Sequence, residues 1–141
     1  MTDPYGLQRF VAAQDRGNAY EEAVRELRRG RKQSHWMWFV FPQIAGLGRS
    51  ATARHFAVSG LAEAEAYLAH PVLGPRLRQS ARILTELACT DPVEVLGPVD
   101  AQKLRSSMTL FARAAPQESV FRRVLDQYFA GELDGATTSR L

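Results

Sequence analysis

The sequence predicts an all-α fold, a single compact multi-helix domain that also contains one irregular, aromatic-rich segment. Apolar residues recur at helical spacing through most of the chain, and capping residues, glycines and prolines separate these stretches by short connections. Runs of β-branched residues are few. A length of 141 residues with an apolar share of 45% suits one core, so we assign residues 1–141 to a single domain.

Two short helices are predicted at the start of the chain, because apolar positions 7, 10 and 11, and then 20, 23, 24 and 27, follow helical spacing. Gly17 and Asn18 separate the two helices. The second helix is expected to end in the basic run 28–32, where Gly30 supplies the cap and the cationic side chains oppose the negative end of the helix dipole.

The irregular segment runs from Ser34 to Pro42. Its residues are almost all bulky and show neither the period of a strand nor that of a helix, so its local structure stays open. Glycines at 46 and 48 then break the chain, and Ser50 is predicted to cap a short helix that runs through Phe56.

Three helices are predicted between residues 59 and 99. Ser59 is expected to cap the first of them, and residues 70–74 turn the chain into the second. Asp91 followed by Pro92 marks the start of the third, because Asp is a frequent N-cap and Pro is tolerated in a first helical turn.

Asp100 is predicted to open a further helix with a core stripe on one face, and a last helix is expected to stop at Gly131. The stripe consists of Leu104, Met108, Phe111 and Ala115. The tail 132–141 is weakly patterned and is expected to fray.

The charge distribution predicts an anion site. The net charge is only +3, but no acidic residue lies between Glu26 and Glu63 or between Asp100 and Glu118, and both stretches contain Lys and Arg. Where these stretches meet in the fold, we expect an anion to bind with no carboxylate nearby.

Cys89 is the sole cysteine, which excludes an intrachain disulfide and a cysteine-based metal site. The histidines are not at ligand spacing on any one helix, so we predict no metal and no cofactor. The first ten residues carry no export pattern, and the longest apolar run, 36–42, is far shorter than the ~20 residues that span a bilayer. We therefore expect a cytoplasmic protein that does not contact membranes.

Both tryptophans lie two residues apart in the aromatic segment. For the rings alone, a plug in the core is the simpler interpretation. Polar residues at the edges of the segment favour a pocket that stacks a planar ring and hydrogen-bonds its substituents. The candidate ligand-binding residues here are Lys32, Ser34, Trp36, Trp38 and Gln43. His35 is the candidate catalytic residue, because imidazole titrates near neutral pH; a histidine that only donates a structural hydrogen bond is the alternative.

Residues 46–51 fit the pattern G-x-G-x-x-A. A Rossmann fold is rejected because the other segments are predicted to be helical, and a Walker-type site is rejected because the pattern has no lysine. Arg49, Ser50 and free N–H groups at a helix start are candidates to hold a phosphate. A plain glycine turn with a serine cap is the alternative.

On the predicted Asp100 helix, Lys103, Ser106 and Ser107 share one side beside the core stripe. Two hydroxyls and an ammonium can bind an anion, and a lysine can activate a serine as a nucleophile. The alternatives are serines bonded back to helix carbonyls and a lysine that reaches solvent.

Residues 30–43, Gly-Arg-Lys-Gln-Ser-His-Trp-Met-Trp-Phe-Val-Phe-Pro-Gln, and Gly-Leu-Gly-Arg-Ser at 46–50 resemble the signature of the bacterial domain-of-unknown-function family 1810. Residues 70–74 and 103–111 also resemble that family's pattern. The resemblance implies a small, mainly helical cytoplasmic protein without an established activity, and every candidate site residue above belongs to the signature. Some members carry the label calpastatin, a disordered protease inhibitor, which the compact, aromatic-rich composition contradicts.

Two functional hypotheses follow. The first is a small enzyme or binding domain, binding or hydrolytic, for an anionic nucleotide-like ligand such as an ADP-ribose derivative. Its pocket would lie between the tryptophan segment and the Lys103 helix, with Arg49, Lys103 and the serines on the phosphates and His35 as acid or base. The second is a non-catalytic interaction module that binds an acidic protein or nucleic acid through the basic run 28–32.

Overall fold

A computed structural model describes residues 3–141 and confirms the all-α prediction. The helices are α1 (Gln8–Asp15), α2 (Ala19–Arg28), α3 (Met37–Val40), α4 (Ala51–His55), α5 (Leu61–Ala69), α6 (Leu73–Glu86), α7 (Pro92–Leu96), α8 (Pro98–Ala114), α9 (Ser119–Phe129) and α10 (Gly135–Thr138). A 3₁₀ turn at Arg16–Asn18 joins the first two helices. Within residues 3–141 the β pairing amounts to one parallel bridge between Ile44 and Val58. None of the described helices combines the length and apolarity needed to cross a membrane.

Helix α8 runs through the hydrophobic core. It packs against α5, α7, α9 and α10, while α6 packs against α2, α5 and α9. Leu104, Met108 and Phe111 of α8 are fully buried, as the core stripe predicts. The Phe111 ring lies between those of Tyr67 on α5 and Phe121 on α9, at centroid distances of 5.4 and 5.9 Å. These rings join three helices in one cluster.

Three predicted helix boundaries are confirmed. Ser50 Oγ accepts a hydrogen bond from the Ala53 amide at 3.1 Å, and Asp91 Oδ1 accepts one from the Val93 amide at 2.9 Å. Gly30 follows α2 with a φ of +73°, a left-handed conformation that glycine adopts without strain. Local chemistry decides each of these ends.

Two predicted helix starts are wrong. Ser59 does not cap α5; its amide and hydroxyl instead donate to Glu63 Oε1 at 3.0 and 2.9 Å, so the helix side chain caps the preceding turn. Helix α8 begins at Pro98 rather than at Asp100, because the glycine at its N-cap turns the chain with a φ of +86° and proline fits the first helical turn. Asp100 consequently lies inside the first turn of α8.

The expectation that the tail 132–141 frays is also wrong. The Asp134 carboxylate caps α10 by accepting hydrogen bonds from the Thr137 amide and hydroxyl at 3.2 and 2.6 Å. The Asp134 amide donates to Thr109 Oγ1 of α8 at 2.9 Å, and Thr137 is fully buried. Polar contacts with α8 thus anchor a stretch that has little apolar periodicity.

The segment from Ser34 to Pro42 folds as the single turn of α3 between irregular stretches. Met37, Val40 and Phe41 are buried in the core. One turn is too short for the helical period to show in the sequence, which explains why periodicity left this segment open.

A buried carboxylate holds the start of this segment. Glu26, near the end of α2, is fully buried. Its Oε1 accepts hydrogen bonds from the Gln33 and Ser34 amides at 2.8 and 2.9 Å and from Trp36 Nε1 at 2.9 Å, while Oε2 accepts one from the Ser34 hydroxyl at 2.6 Å. Burial acts to raise the pKa of Glu26, but these donors outweigh it and lower the pKa from 4.5 to about 2.

We expect Glu26→Ala to lower the free energy of unfolding by about 3 kcal/mol, because four donors would lose their acceptor. Urea unfolding followed by circular dichroism measures the change. The control is Glu22→Ala on the same helix; the Glu22 side chain is 37% exposed and pairs with exposed Arg25, so the loss should stay below about 0.5 kcal/mol. Equal losses for the two variants would contradict the role assigned to Glu26.

We expect Glu26→Gln, which keeps the shape and removes the charge, to flatten the acid dependence of stability. Because the pKa of Glu26 is lowered on folding, its charge stabilises the wild type fully above about pH 5, and this contribution is lost as the pH falls towards 2. Urea unfolding at about pH 6, 4 and 3 should therefore show a smaller loss of unfolding free energy for the variant. Parallel pH curves for the two proteins would refute this.

Candidate functional site

Both lysines of the chain meet at one carboxylate. Asp100 Oδ2 lies 2.9 Å from Lys32 Nζ, and Asp100 Oδ1 lies 3.2 Å from Lys103 Nζ. The Lys32 ammonium also donates to the Ser34 carbonyl at 2.5 Å. The three charged side chains are at most 17% exposed, so they form a largely buried cluster, the Asp100 cluster.

Each lysine of this cluster also lies near one of the two tryptophan rings. Lys103 Nζ is 3.7 Å from the centroid of the Trp38 ring, and Lys32 Nζ is 5.2 Å from that of Trp36. A cation over an indole face is attracted by the negative electrostatic potential of the ring. Lys103 therefore lies directly against the tryptophan segment, so α8, which carries Lys103, is the neighbour of that segment.

The expectation that the two acid-poor stretches meet without a carboxylate is wrong. Asp100, the residue that bounds the second stretch, lies at their interface, because its place in the first turn of α8, three residues before Lys103, puts its carboxylate between the two ammonium groups. Burial acts to raise the pKa of Asp100, but Lys32 and Lys103 outweigh it and hold the pKa below its usual value. Both ammonium groups thus already have a counter-charge.

The tryptophans occupy different environments. The Trp36 side chain is 1% exposed and donates to Glu26, so its ring is part of the core, which leaves it no free face for a ligand. Ser34 is held at the same carboxylate. Trp38 is half-buried and lines a cavity. The interpretation as a core plug therefore applies to Trp36, and the interpretation as a pocket wall applies to Trp38.

The two candidate serines of α8 are turned into the protein. Ser106 Oγ lies 3.1 Å from the Gln102 carbonyl and 2.9 Å from Asp134 Oδ2, and it can donate its one proton to either oxygen. Ser107 is fully buried, and its Oγ has no hydrogen-bond partner within residues 3–141. Among the described contacts, neither hydroxyl bonds to Lys103, so a Ser–Lys nucleophile pair is not formed. Ser106 links α8 to the α10 cap.

Arg49 and Ser50 lie on the glycine loop and are exposed. Ser50 Oγ accepts from the Ala53 amide, which makes it the cap of the five-residue helix α4. The glycine turn with a serine cap therefore describes this loop.

A narrow cavity of about 180 Å³, which we call the slot, lies beside Trp38. Its lining residues are Trp38, Gln43, Ile44, Ala45, Gly46, Gly48, Ala53, Arg54, Phe56 and Ala57. Two candidate ligand residues, Trp38 and Gln43, thus share one cavity with the glycine loop. The other candidates lie outside its lining.

A second and larger cavity of about 630 Å³, which we call the groove, lies between α1 and the region of α3 and α4. Its lining residues are Arg9, Ala12, Ala13, Arg16, Ala19, His35, Phe39, His55 and Phe56. No described residue that lines the groove is acidic. His35 is exposed here, away from the Asp100 cluster, and Phe56 lines both cavities.

Sequence reasoning missed Arg16, Phe39, His55 and Phe56 as site residues. A signal was available: the small residues Ala12, Ala13 and Ala19 leave space beside the first helix. No group of three or more His, Cys, Asp or Glu within residues 3–141 is arranged to hold a metal ion.

Comparison with known proteins reinforces the sequence resemblance. Residues 4–141 match the family described as "Protein of unknown function (DUF1810)". The chain belongs to this family. Its fold is similar to the crystal structure of the conserved hypothetical protein Rv1873 from Mycobacterium tuberculosis, with a TM-score of 0.95, 47% sequence identity and coverage of 99% of this chain and 98% of that chain. No curated protein matches the chain. These comparisons thus support the fold and name no activity.

We expect Asp100→Asn to lower the free energy of unfolding by about 2 kcal/mol, because two largely buried ammonium groups would lose their counter-charge. Urea unfolding measures the change. Asp15→Asn is the matched control, since the Asp15 side chain is 58% exposed and pairs with Arg76 at 2.9 Å; its loss should stay below about 0.5 kcal/mol. If the two variants were equally stable, the Asp100 cluster would make no special contribution to the free energy of unfolding.

Proposed function

We propose that this protein binds a small anionic ligand with a planar ring, of the nucleotide type, in the groove. The observation that carries the proposal is the composition of the lining. Arg16, His35 and His55 supply hydrogen-bond donors, Phe39 and Phe56 supply apolar ring surface, and no described lining residue is acidic. A cavity with apolar walls and a few convergent polar groups is the usual form of a small-molecule site.

The anionic character of the ligand follows from the arginines. Arg9 Nη2 is paired with Glu63 Oε2 at 2.9 Å, and its guanidinium also donates to the His55 and Ala57 carbonyls, so its charge and donors are already used. Arg16 is exposed and makes no ion pair within residues 3–141. A free guanidinium presents a fork of donors that fits a phosphate or carboxylate. Arg16 is therefore the group to which we assign the anion.

The planar ring follows from the phenylalanines and the size of the groove. Phe39 and Phe56 are half-buried, with ring centroids 5.5 Å apart and planes at 49°, so neither ring is covered by parallel stacking on the other. The groove of about 630 Å³ is far larger than a bare phosphate requires and falls within the roughly 300–1,000 Å³ of small-molecule sites. An ADP-ribose derivative belongs to the class of ligands that this combination suits.

We assign His35 a binding role rather than a hydrolytic one. A catalytic histidine is usually oriented by a hydrogen bond from its second ring nitrogen to a carboxylate or carbonyl. The His35 side chain makes no hydrogen bond with another residue among 3–141. Without an orienting partner, an imidazole N–H serves best as a donor to the bound anion.

We expect Arg16→Ala to weaken binding of ADP-ribose or AMP about tenfold, because one charge-assisted hydrogen bond would be lost. Isothermal titration calorimetry of the intact chain measures the affinity. Arg29→Ala removes another exposed arginine, from the basic run 28–32, and should leave the affinity unchanged. Absence of binding by the wild type at millimolar ligand would overturn the proposal.

Oligonucleotide binding by the same variants distinguishes the alternative interaction module from the groove. Salt-sensitive binding of an oligonucleotide that survives Arg16→Ala but falls with a combined Arg28→Ala and Arg29→Ala change would favour a basic surface over the groove. In that case the rings of Phe39 and Phe56 would serve only the packing of α1 against α3 and α4.

A further inference from the structure

We infer that the slot is a second binding site, which takes a single planar group with a hydrogen-bond donor next to an acceptor, such as a carboxamide or a nucleobase edge. The inference goes beyond the proposed anion site and does not depend on it. It is carried by three observations: a fixed aromatic wall, an unpaired amide side chain, and a volume that admits one ring.

The Trp38 ring is a fixed wall of the slot. Lys103 Nζ lies 3.7 Å from its centroid, and the Asp100 carboxylate holds that ammonium in turn. Gly48 packs so closely here that an added Cβ would overlap the Ala53 Cβ and would stand 3.7 Å from the tryptophan ring. The Asp100 cluster thereby acts on the slot through Trp38 and does not need to touch a ligand.

Gln43 supplies the polar edge. Its backbone carbonyl accepts from the Val58 amide at 2.9 Å, which fixes the residue beside the Ile44–Val58 bridge. The side-chain amide lines the slot and makes no hydrogen bond with any residue in the range 3–141. A glutamine amide offers one donor and one acceptor side by side, the pattern that pairs with a carboxamide or a nucleobase edge through two hydrogen bonds.

The glycine loop closes part of the slot. Gly46 adopts a φ of +96°, and the guanidinium of Arg140 packs where a side chain would begin. Any residue other than glycine would be strained at this φ and would collide with that guanidinium. The Arg140 guanidinium therefore packs directly on the loop backbone at Gly46 and helps to hold the loop in place.

The volume selects one ring. A cavity of about 150 Å³ holds benzene in a well-studied case, so about 180 Å³ holds a single six-membered ring with a small substituent. A whole nucleotide does not fit. No described residue that lines the slot is acidic, and Arg54 contributes the one charged side chain of its lining.

The test uses benzamide and uracil as probes, with toluene as an apolar control of similar size, on the ¹⁵N-labelled intact chain. Binding of either amide-edged probe in the slot should shift the Trp38 indole N–H signal and leave that of Trp36, which is bonded to Glu26, in place. Toluene should bind at least tenfold more weakly. Equal binding of toluene, or no shift of the Trp38 signal at millimolar probe, would overturn the inference.

Two variants separate the slot from the groove. Gln43→Leu removes the donor and the acceptor at similar size and should weaken probe binding about tenfold, which corresponds to two neutral hydrogen bonds. Gln43→Asn withdraws the amide by one methylene while keeping its polarity, and should weaken binding in the same way even if the leucine variant fails to fold. Arg16→Ala should leave probe binding unchanged, so a failure of the anion site and a failure of the slot give different results.

Discussion

The Glu26 carboxylate is buried at the end of α2, and its hydrogen bonds all come from the stretch 33–36 that follows. Removing a carboxylate from water is costly unless donors replace the lost solvent. Because these donors belong to one short stretch of chain, that stretch has to wrap around the anion. The path into α3, and with it the positions of His35 and Trp38, depends on this interaction.

A second buried carboxylate then joins the aromatic segment to α8. Asp100 accepts from Lys32 on one side and Lys103 on the other, and the two ammonium groups lie beside the two indole rings. The arrangement gives both ammonium groups a counter-charge within the protein. Both lysines therefore contribute to architecture, as Arg9 does through Glu63, whereas Arg16 makes no ion pair among residues 3–141.

The sequence suggested one pocket for aromatic, polar and cationic residues, but residues of these kinds line two separate cavities. The slot has the tryptophan wall and the glutamine amide, and the groove has the histidines, the free arginine and the phenylalanines. Phe56 separates them and belongs to both linings.

Periodicity predicted the all-α fold and the core stripe of α8, because burial of an apolar face repeats every three to four residues over a long helix. Single polar residues predicted caps where they act on their own neighbours, as Ser50 and Asp91 do. The same reasoning failed for Ser59, which bonds to Glu63 through the local turn. It also failed for the tail, which becomes a neighbour of α8 only through the tertiary fold.

By itself, the sequence determined the helical architecture, the family and the set of residues that carry chemistry, since these depend on local spacing and residue type. Only the tertiary structure decided how those residues are used. It buried Trp36, turned Ser106 inward and brought Asp100 between the lysines. The physical reason is that a side chain is used for structure or left free according to which partner satisfies its charge or hydrogen bonds. Partners such as Lys32 for Asp100 and Asp134 for Ser106 are far apart along the chain.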